Sequence, residues 1–219
     1  MIKRVIHTAI TLAVLLVSCR QDDLPDSMPT AHEGYVALRF SADIPAMQEV
    51  VTRSVDPDGG GVQDMTLFCF DSYGLFTTTV EAKVTPTGNG AGLTGNFEAE
   101  VPENTRTVHF LANQNMSEFK EDKFRNKSEA EVMALLEGSS GRMIYWARFT
   151  CDPDNDSKID AQMADKGNTI KMIRNHAQVS IDNPINGWIE VTGFVAYNTN
   201  DFGSVAPYHP EKGFDFEWP

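Results

Sequence analysis

A mainly β fold is what this 219-residue chain predicts: about seven to eight strands in a β-sandwich, with one short helix in a connection. Three observations carry that reading. Val36, Leu38, Phe40, Ala42 and Ile44 alternate with Ala37, Arg39, Ser41 and Asp43, a period of two with one apolar face. Further runs rich in β-branched and aromatic residues recur along the chain, punctuated by Gly, Asn or Pro. Only one segment carries a complete set of helix signals. Many short strands and one helix bury their apolar faces most simply as two packed sheets.

Taken in order, the chain begins with Lys3 and Arg4, an apolar run Val5–Val17, and the tetrapeptide Leu16-Val17-Ser18-Cys19. The run is shorter than the roughly 20 residues a spanning helix needs. Residues 1–18 therefore read as a lipoprotein signal peptide, removed on export to leave Cys19 as the lipid-bearing N-terminus. Residues 19–34 are polar, hold Pro25 and Pro29, show no periodicity, and read as a tether. The first strand, 35–45, is stopped by Pro45. Residues 46–61 end in Asp56-Pro57-Asp58-Gly59-Gly60-Gly61 and read as an exposed loop, with Val51-Thr52-Arg53-Ser54 inside it.

Val62–Asp71 is apolar enough for a buried strand, and Ser72-Tyr73-Gly74 makes a turn. Leu75–Val84 reads as one Thr- and Val-rich strand, closed by Pro86 and the loop Gly88-Asn89-Gly90. Leu93–Val101, Thr105–Ala112, Arg142–Thr150, Ile170–Asp182 and Trp188–Asn198 complete the strands. Between them, Ser128 and Glu131 stand three apart as a capping box. Val132, Leu135 and Leu136 give the helix an apolar face, and Gly138 is its expected stop. The domain so defined runs over 35–208. Residues 209–219 read as the start of a linker or of a truncated second domain.

Composition narrows function. The formal charge of −13, more negative still without Lys3 and Arg4, repels phosphate backbones. No basic stripe with interleaved aromatics offsets it, which argues against nucleic acid as a partner. An apolar share of 41% is enough for a packed core. Beside Cys19 the chain has Cys69 and Cys151. An exported protein can form disulfides, but two isolated cysteines fix no pairing, so a bridge and two buried thiols both stand open.

The order of these pieces resembles a known family. The lipobox is followed by an alternating strand, a Thr-Arg-Ser loop, and Met65–Gly74 (MTLFCFDSYG), a strand ending in Phe-Asp and a turn glycine. Thr107–Asn115 (TVHFLANQN) and Ile173–Val179 (IRNHAQV) follow. Over most of residues 16–208 this resembles the N-terminal domain of the fimbrillins, subunits of type V pili and related surface adhesins of Gram-negative anaerobes. The resemblance implies a transthyretin-like β-sandwich and export as a lipid-anchored precursor (palmitate on Cys19) to the outer membrane and cell surface. It also implies cutting between Arg53 and Ser54 by an Arg-specific protease. The cut would free the strand carrying Val36, Leu38, Phe40 and Ile44, and a strand from a neighbouring pilus subunit would replace it. Gln21-Asp22-Asp23 looks like the acidic stretch that marks surface export in such organisms. A host or bacterial surface receptor is the implied external partner. Fimbrillins usually continue into a second β-domain that donates a strand, whereas this sequence stops at Trp218-Pro219; a truncated product, a fragment and a short relative are the readings of that difference. An uncleaved, surface-anchored lipoprotein of the same fold, serving as pilus anchor or as a glycan- or protein-binding module, is the alternative.

The exchange is physically sensible. Burying Val36, Leu38, Phe40 and Ile44 at about 1.5–3 kcal/mol each gives roughly 6–12 kcal/mol as an upper estimate. A whole domain is typically stable by only about 5–15 kcal/mol. An emptied first-strand position would leave an apolar groove with unpaired backbone, and would accept another strand.

Other chemistry is thinly represented. Asp152, Asp154, Asp156 and Asp160, with Lys158 between, sit at calcium-loop positions 1, 3, 5, 9 and 7. Position 6 is Ser157 rather than Gly, and position 12 is Met163 rather than Glu, so a plain acidic turn is the better reading. His109 and His176 lie in predicted strands, where a hydrogen-bonded histidine is commoner than a ligand. There is no His-x-x-x-His, Cys-x-x-Cys or Gly-x-Ser-x-Gly, and no Gly-rich phosphate loop opens a helix. Neither catalysis nor a cofactor is expected. Trp146, Trp188, Trp218 and Tyr197 could stack on sugars, but Trp146 and Trp188 more often pack a β core.

Overall fold

The computed structural model describes residues 31–44, 62–86, 95–114, 116, 120–139, 143–175, 193, 195, 202–208 and 213–214. Within them the chain is mainly β, in several sheets. β1 (Tyr35–Asp43), β4 (Lys83–Pro86), β5 (Gly95–Pro102) and β9 (Thr169–Lys171) form a four-stranded sheet in the order β4-β5-β1-β9. β2 (Met65–Phe70), β3 (Phe76–Glu81), β6 (Thr107–Ala112), β8 (Tyr145–Thr150) and β10 (Ile173–Arg174) form a five-stranded sheet in the order β10-β8-β6-β2-β3. β7 (Glu137–Ser139) pairs with β11 (Phe202–Ser204) as a small ribbon. α1 covers Glu129–Met133 and α2 covers Ile159–Asp165.

The four-stranded sheet is built by alternation. Val36, Leu38, Phe40, Ala42 and Ile44 are all buried, while Tyr35, Arg39 and Asp43 are exposed. β5 answers in the same period, with Phe97, Ala99 and Val101 inside. The Phe40 ring stacks on Phe97 at 5.3 Å and meets Phe110 of the five-stranded sheet edge-on at 5.0 Å. The inner residues of both sheets therefore share one core.

The centre of the five-stranded sheet is buried on both faces, so β2 and β6 show no alternation in burial, while the edge strands β3 and β10 are half-buried. Leu67, Val108 and Phe110 point into the shared core. Phe68, Phe70 and Leu111 point the other way, into a second core closed by Phe124, Val132, Met133, Leu136, Val205 and Phe214. A strand covered on both sides has no polar face to show, and reads as a continuous apolar run.

Two expected strands are each split between the sheets. In place of a single strand Leu75–Val84, β3 ends at Glu81, Ala82 still donates its N–H to the Met65 carbonyl (2.9 Å), and Lys83 opens β4 against β5. In place of Ile170–Asp182, β9 pairs with β1 and β10 pairs with β8. Between β9 and β10, Met172 is fully buried and donates its N–H to the Asp43 carbonyl at 2.8 Å. Residues 176–182 and most of the expected strand Trp188–Asn198 lie outside the described residues.

The capping box forms as expected: Ser128 Oγ accepts from the Glu131 N–H, and the Glu131 carboxylate accepts from the Ser128 N–H at 2.8 Å. The helix is shorter than expected and ends at Met133. Leu135 then falls off the helical spacing and is exposed, and Gly138 lies in β7 instead of stopping the helix. A Cβ there would stand 2.7 Å from the Asn175 side-chain nitrogen, so that amide would have to shift to admit one. Cys69 lies on β2 and Cys151 just beyond β8, with β6 between them. Two strand spacings are about 10 Å, beyond the roughly 7 Å between Cα atoms that a disulfide spans. Both are buried free thiols, and burial pushes Cys69 up to about 12.

Candidate functional site

β1 and the slot it fills are the candidate site. Its register against β5 is antiparallel and long, from Tyr35 opposite Pro102 to Ser41 opposite Asn96. On the other side the described residues give it only a short parallel partner, Ser41–Asp43 against Thr169–Lys171. The Ser41 N–H donates to the Asn168 carbonyl at 2.8 Å and so starts that second ladder. The slot walls are apolar: Phe97 and Val101 from β5, Phe110 from the facing sheet, and Met163 and Ile170 from α2 and β9.

The solvent face holds β1 weakly. Arg39 faces Glu98 at 3.3 Å with both side chains 47% exposed, and Ser41 Oγ lies 3.1 Å from Thr169 Oγ1. Just before the strand, exposed His32 pairs with Glu100; the hydrogen bond raises the imidazole pKa and lowers that of the carboxyl. Exposed pairs of this kind, screened by water, contribute little. β1 is therefore held by its buried side chains, by the long β5 ladder and by the short β9 ladder. Cys19, Arg53 and Ser54 lie outside the described residues; the stretch carrying Arg53 follows directly on Ile44.

The calcium-loop candidates form a turn organised by an amide. Gln162, which is 4% exposed, accepts from the Asp152 N–H at 2.7 Å and donates to the Asn155 and Ser157 carbonyls at 3.0 and 2.9 Å. Asp152 accepts from the Asp154 N–H, Asp156 is exposed, and Asp160 lies in the first turn of α2. No group of three or more His, Cys, Asp or Glu among the described residues is placed to hold a metal. α2 itself was not expected; its signals were the Ile159/Met163 spacing of four, both residues buried, and Gly167 (φ 84°) just past its end.

A buried polar cluster on the outer face of the five-stranded sheet also escaped sequence reading. His109 (β6) is fully buried and pairs across the ladder with Arg148 (β8). Trp146 Nε1 donates to His109 Nδ1 at 2.9 Å, which places the imidazole proton on Nε2, 2.6 Å from Glu129 Oε1. Arg148 Nε donates to the same oxygen at 2.5 Å and Nη2 to Glu129 Oε2 at 3.2 Å. Burial pushes His109 below its ordinary value, so it is neutral. Burial also works against the Glu129 carboxylate, but the hydrogen bonds from His109 and Arg148 win and hold it near about 2. The Phe214 ring caps the imidazole at 5.0 Å and 88°; it comes from the stretch expected to open a linker or second domain. The cluster fastens the first turn of α1 to the sheet. It offers no nucleophile, and Trp146, 4% exposed, presents no face for a sugar.

A cavity of 530 Å³ opens beside β8 and β9, lined by Arg148, Phe149, Lys166, Ile170 and Lys171 among others. Lys166 lies over the Phe149 ring at 5.1 Å. Among the described residues no helix is long and apolar enough to cross a membrane. Trp188, Trp218, Tyr197, His176 and His209 lie outside them.

Comparison with known proteins adds little. No family model matches the chain, and no curated protein matches it. Among solved structures it is similar to a fimbrial assembly protein from Parabacteroides distasonis, at 12% identity and a TM-score of 0.30. The match covers 64% of this chain and 54% of that one, so the chain spans about half the length of that structure. A TM-score of 0.30 does not place two chains in one fold.

Proposed function

We propose that this chain is a structural or adhesive subunit of a cell-surface pilus, exported as a lipoprotein on Cys19 and assembled by β-strand exchange. In this reading its two main sheets form a transthyretin-like sandwich, and β1 fills in advance the slot that a neighbouring subunit later takes. One observation carries the reading: β1 is apolar on one face from Val36 to Ile44, is sunk into the shared core, and is followed directly by the stretch holding Arg53. An Arg-specific protease cutting there separates the lipid and β1 from the rest of the covalent chain in one step. The same buried area that holds β1 drives capture of the replacement strand.

The test is the N-terminus of the protein on intact cells. Mass spectrometry of surface material should find a chain starting at Ser54. The Arg53→Lys variant should keep the lipidated Cys19 and fail to polymerise. Surface material of that variant still starting at Ser54 would refute processing at this arginine.

A second reading is an anchored lipoprotein that keeps β1 and serves as a pilus base or a binding module. Two observations favour it. β1 is an interior strand, bonded to β9 as well as β5, and the cavity beside β8 and β9 offers an aromatic and cationic lining. An acylated Cys19 on the mature surface protein separates it from the first reading.

A further inference from the structure

The sheet edges are closed in two different ways. In the four-stranded sheet the edge strands protect themselves. β4 is four residues with Lys83 at one end and Pro86 at the other, and β9 is three residues ending in Lys171. At one edge of the five-stranded sheet, β10 is only two residues long. Its other edge, β3, is the longest of the four among the described residues, and Phe76–Val80 carries neither charge nor proline. A long uncharged edge of Phe, Thr and Val is the kind that recruits a strand from another molecule.

That edge is covered from outside its own sequence. At its start, the Phe76 N–H donates to the Lys127 carbonyl at 2.9 Å, Leu75 bridges to Ser128, and the Glu129 N–H donates to the Gly74 carbonyl. At its middle the cover is a single side chain. Glu121, in a short 3-10 turn (Glu121–Lys123), places Oε1 3.0 Å from the Thr79 backbone nitrogen, 3.0 Å from Thr79 Oγ1 and 2.9 Å from Thr78 Oγ1. The Thr78 hydroxyl also lies 3.2 Å from the Thr79 carbonyl. The Thr79 N–H and C=O both point away from β2; Glu121 accepts from the N–H, while the one proton of the Thr78 hydroxyl is shared between Glu121 at 2.9 Å and the Thr79 C=O at 3.2 Å.

We propose that Glu121 guards this edge, and that the surface it blocks is one on which β3 pairs antiparallel with the β3 of a second copy about a two-fold at Thr79. In such a pair the two Thr79 residues face each other and exchange both backbone hydrogen bonds, an isologous contact in which each copy presents the same patch. The carboxylate occupies the N–H that this exchange needs, while adding a charge where the partner strand would lie. The guard does not depend on strand exchange at β1, and it leaves that slot untouched.

The test uses the full chain, in detergent, by native mass spectrometry and hydrogen exchange. Wild type should be monomeric at β3, with the Thr79 amide protected despite its edge position. Glu121→Ala should shift the mass to two chains as concentration rises. Glu121→Gln, whose carbonyl still accepts from Thr79, should remain single. Glu121→Ala combined with Thr79→Pro removes the N–H itself and should return the protein to one chain, since proline is tolerated on an edge. A folded Glu121→Ala protein that stays monomeric overturns the proposal, as does a dimer that persists with Thr79→Pro. If Glu121→Ala does not fold, the wild-type amide decides: a Thr79 N–H that exchanges as fast as an open loop amide overturns it too.

Discussion

The two main sheets bury comparable side chains but are held in different ways. The four-stranded sheet keeps a solvated face, alternates in period two, and has β1 as the strand between β5 and β9. The five-stranded sheet is covered on both faces at its centre and closed by a second core and a polar cluster, neither of which includes a β1 residue. A strand can be exchanged only where the remainder keeps a reason to stay folded. In the proposed exchange the second core would supply that reason, with β1 as the part that leaves and β2-β6-β8 as the frame.

Core truncations probe this contrast most strongly. Phe68→Ala, in the second core and fully buried, should cost about 3–5 kcal/mol in urea unfolding and loosen the whole domain. Leu38→Ala should cost about 2–5 kcal/mol, but its hydrogen exchange should differ in kind. β1 and β5 amides should open in this variant while β2 and β6 amides stay protected. Equal loosening of both sheets by Leu38→Ala would remove the distinction between part and frame.

Acid should attack the frame first. His109 has a depressed folded pKa, so the unfolded chain takes up its proton first and stability falls as pH drops below about 6.5. Glu129 adds a second loss as pH falls from about 4.5 toward about 2, where its carboxylate is protonated in the folded state. Thermal midpoints should therefore decline from pH 7 to 5, and His109→Gln should flatten that part of the curve. Ser128→Ala, which removes one half of the capping box, should cost about 0.5–2 kcal/mol. Arg39→Ala, on the solvated face of β1, should change stability by under about 1 kcal/mol; a larger loss would mean that the rim, and not the buried face, holds the strand.

What could be read from sequence follows the same division. Alternation from Val36 to Ile44 announces a strand with one wet face, and the structure buries every apolar member. The capping box at Ser128 is a local signal and forms locally. The strand breaks at Ala82 and Met172 gave no such signal, because an apolar or Thr-rich run reads the same whether it stays in one sheet or crosses to the other. The His109–Glu129–Arg148 cluster was hidden because its members come from β6, α1 and β8 and meet only through ladder register. Leu135 failed because a helix of five residues is too short for its apolar period to run on.

In the proposed exchange β1 leaves its slot and another strand takes it while the rest stays folded. Native mass spectrometry of chain cut after Arg53, incubated with an isotope-labelled peptide of residues 35–44, tests it most directly. One labelled peptide per chain should take the place of the original fragment, with an unchanged near-ultraviolet spectrum for the remainder and no entry of a Phe40→Asp peptide. Retention of the original fragment with no exchange, or collapse of the remainder once it leaves, would contradict it.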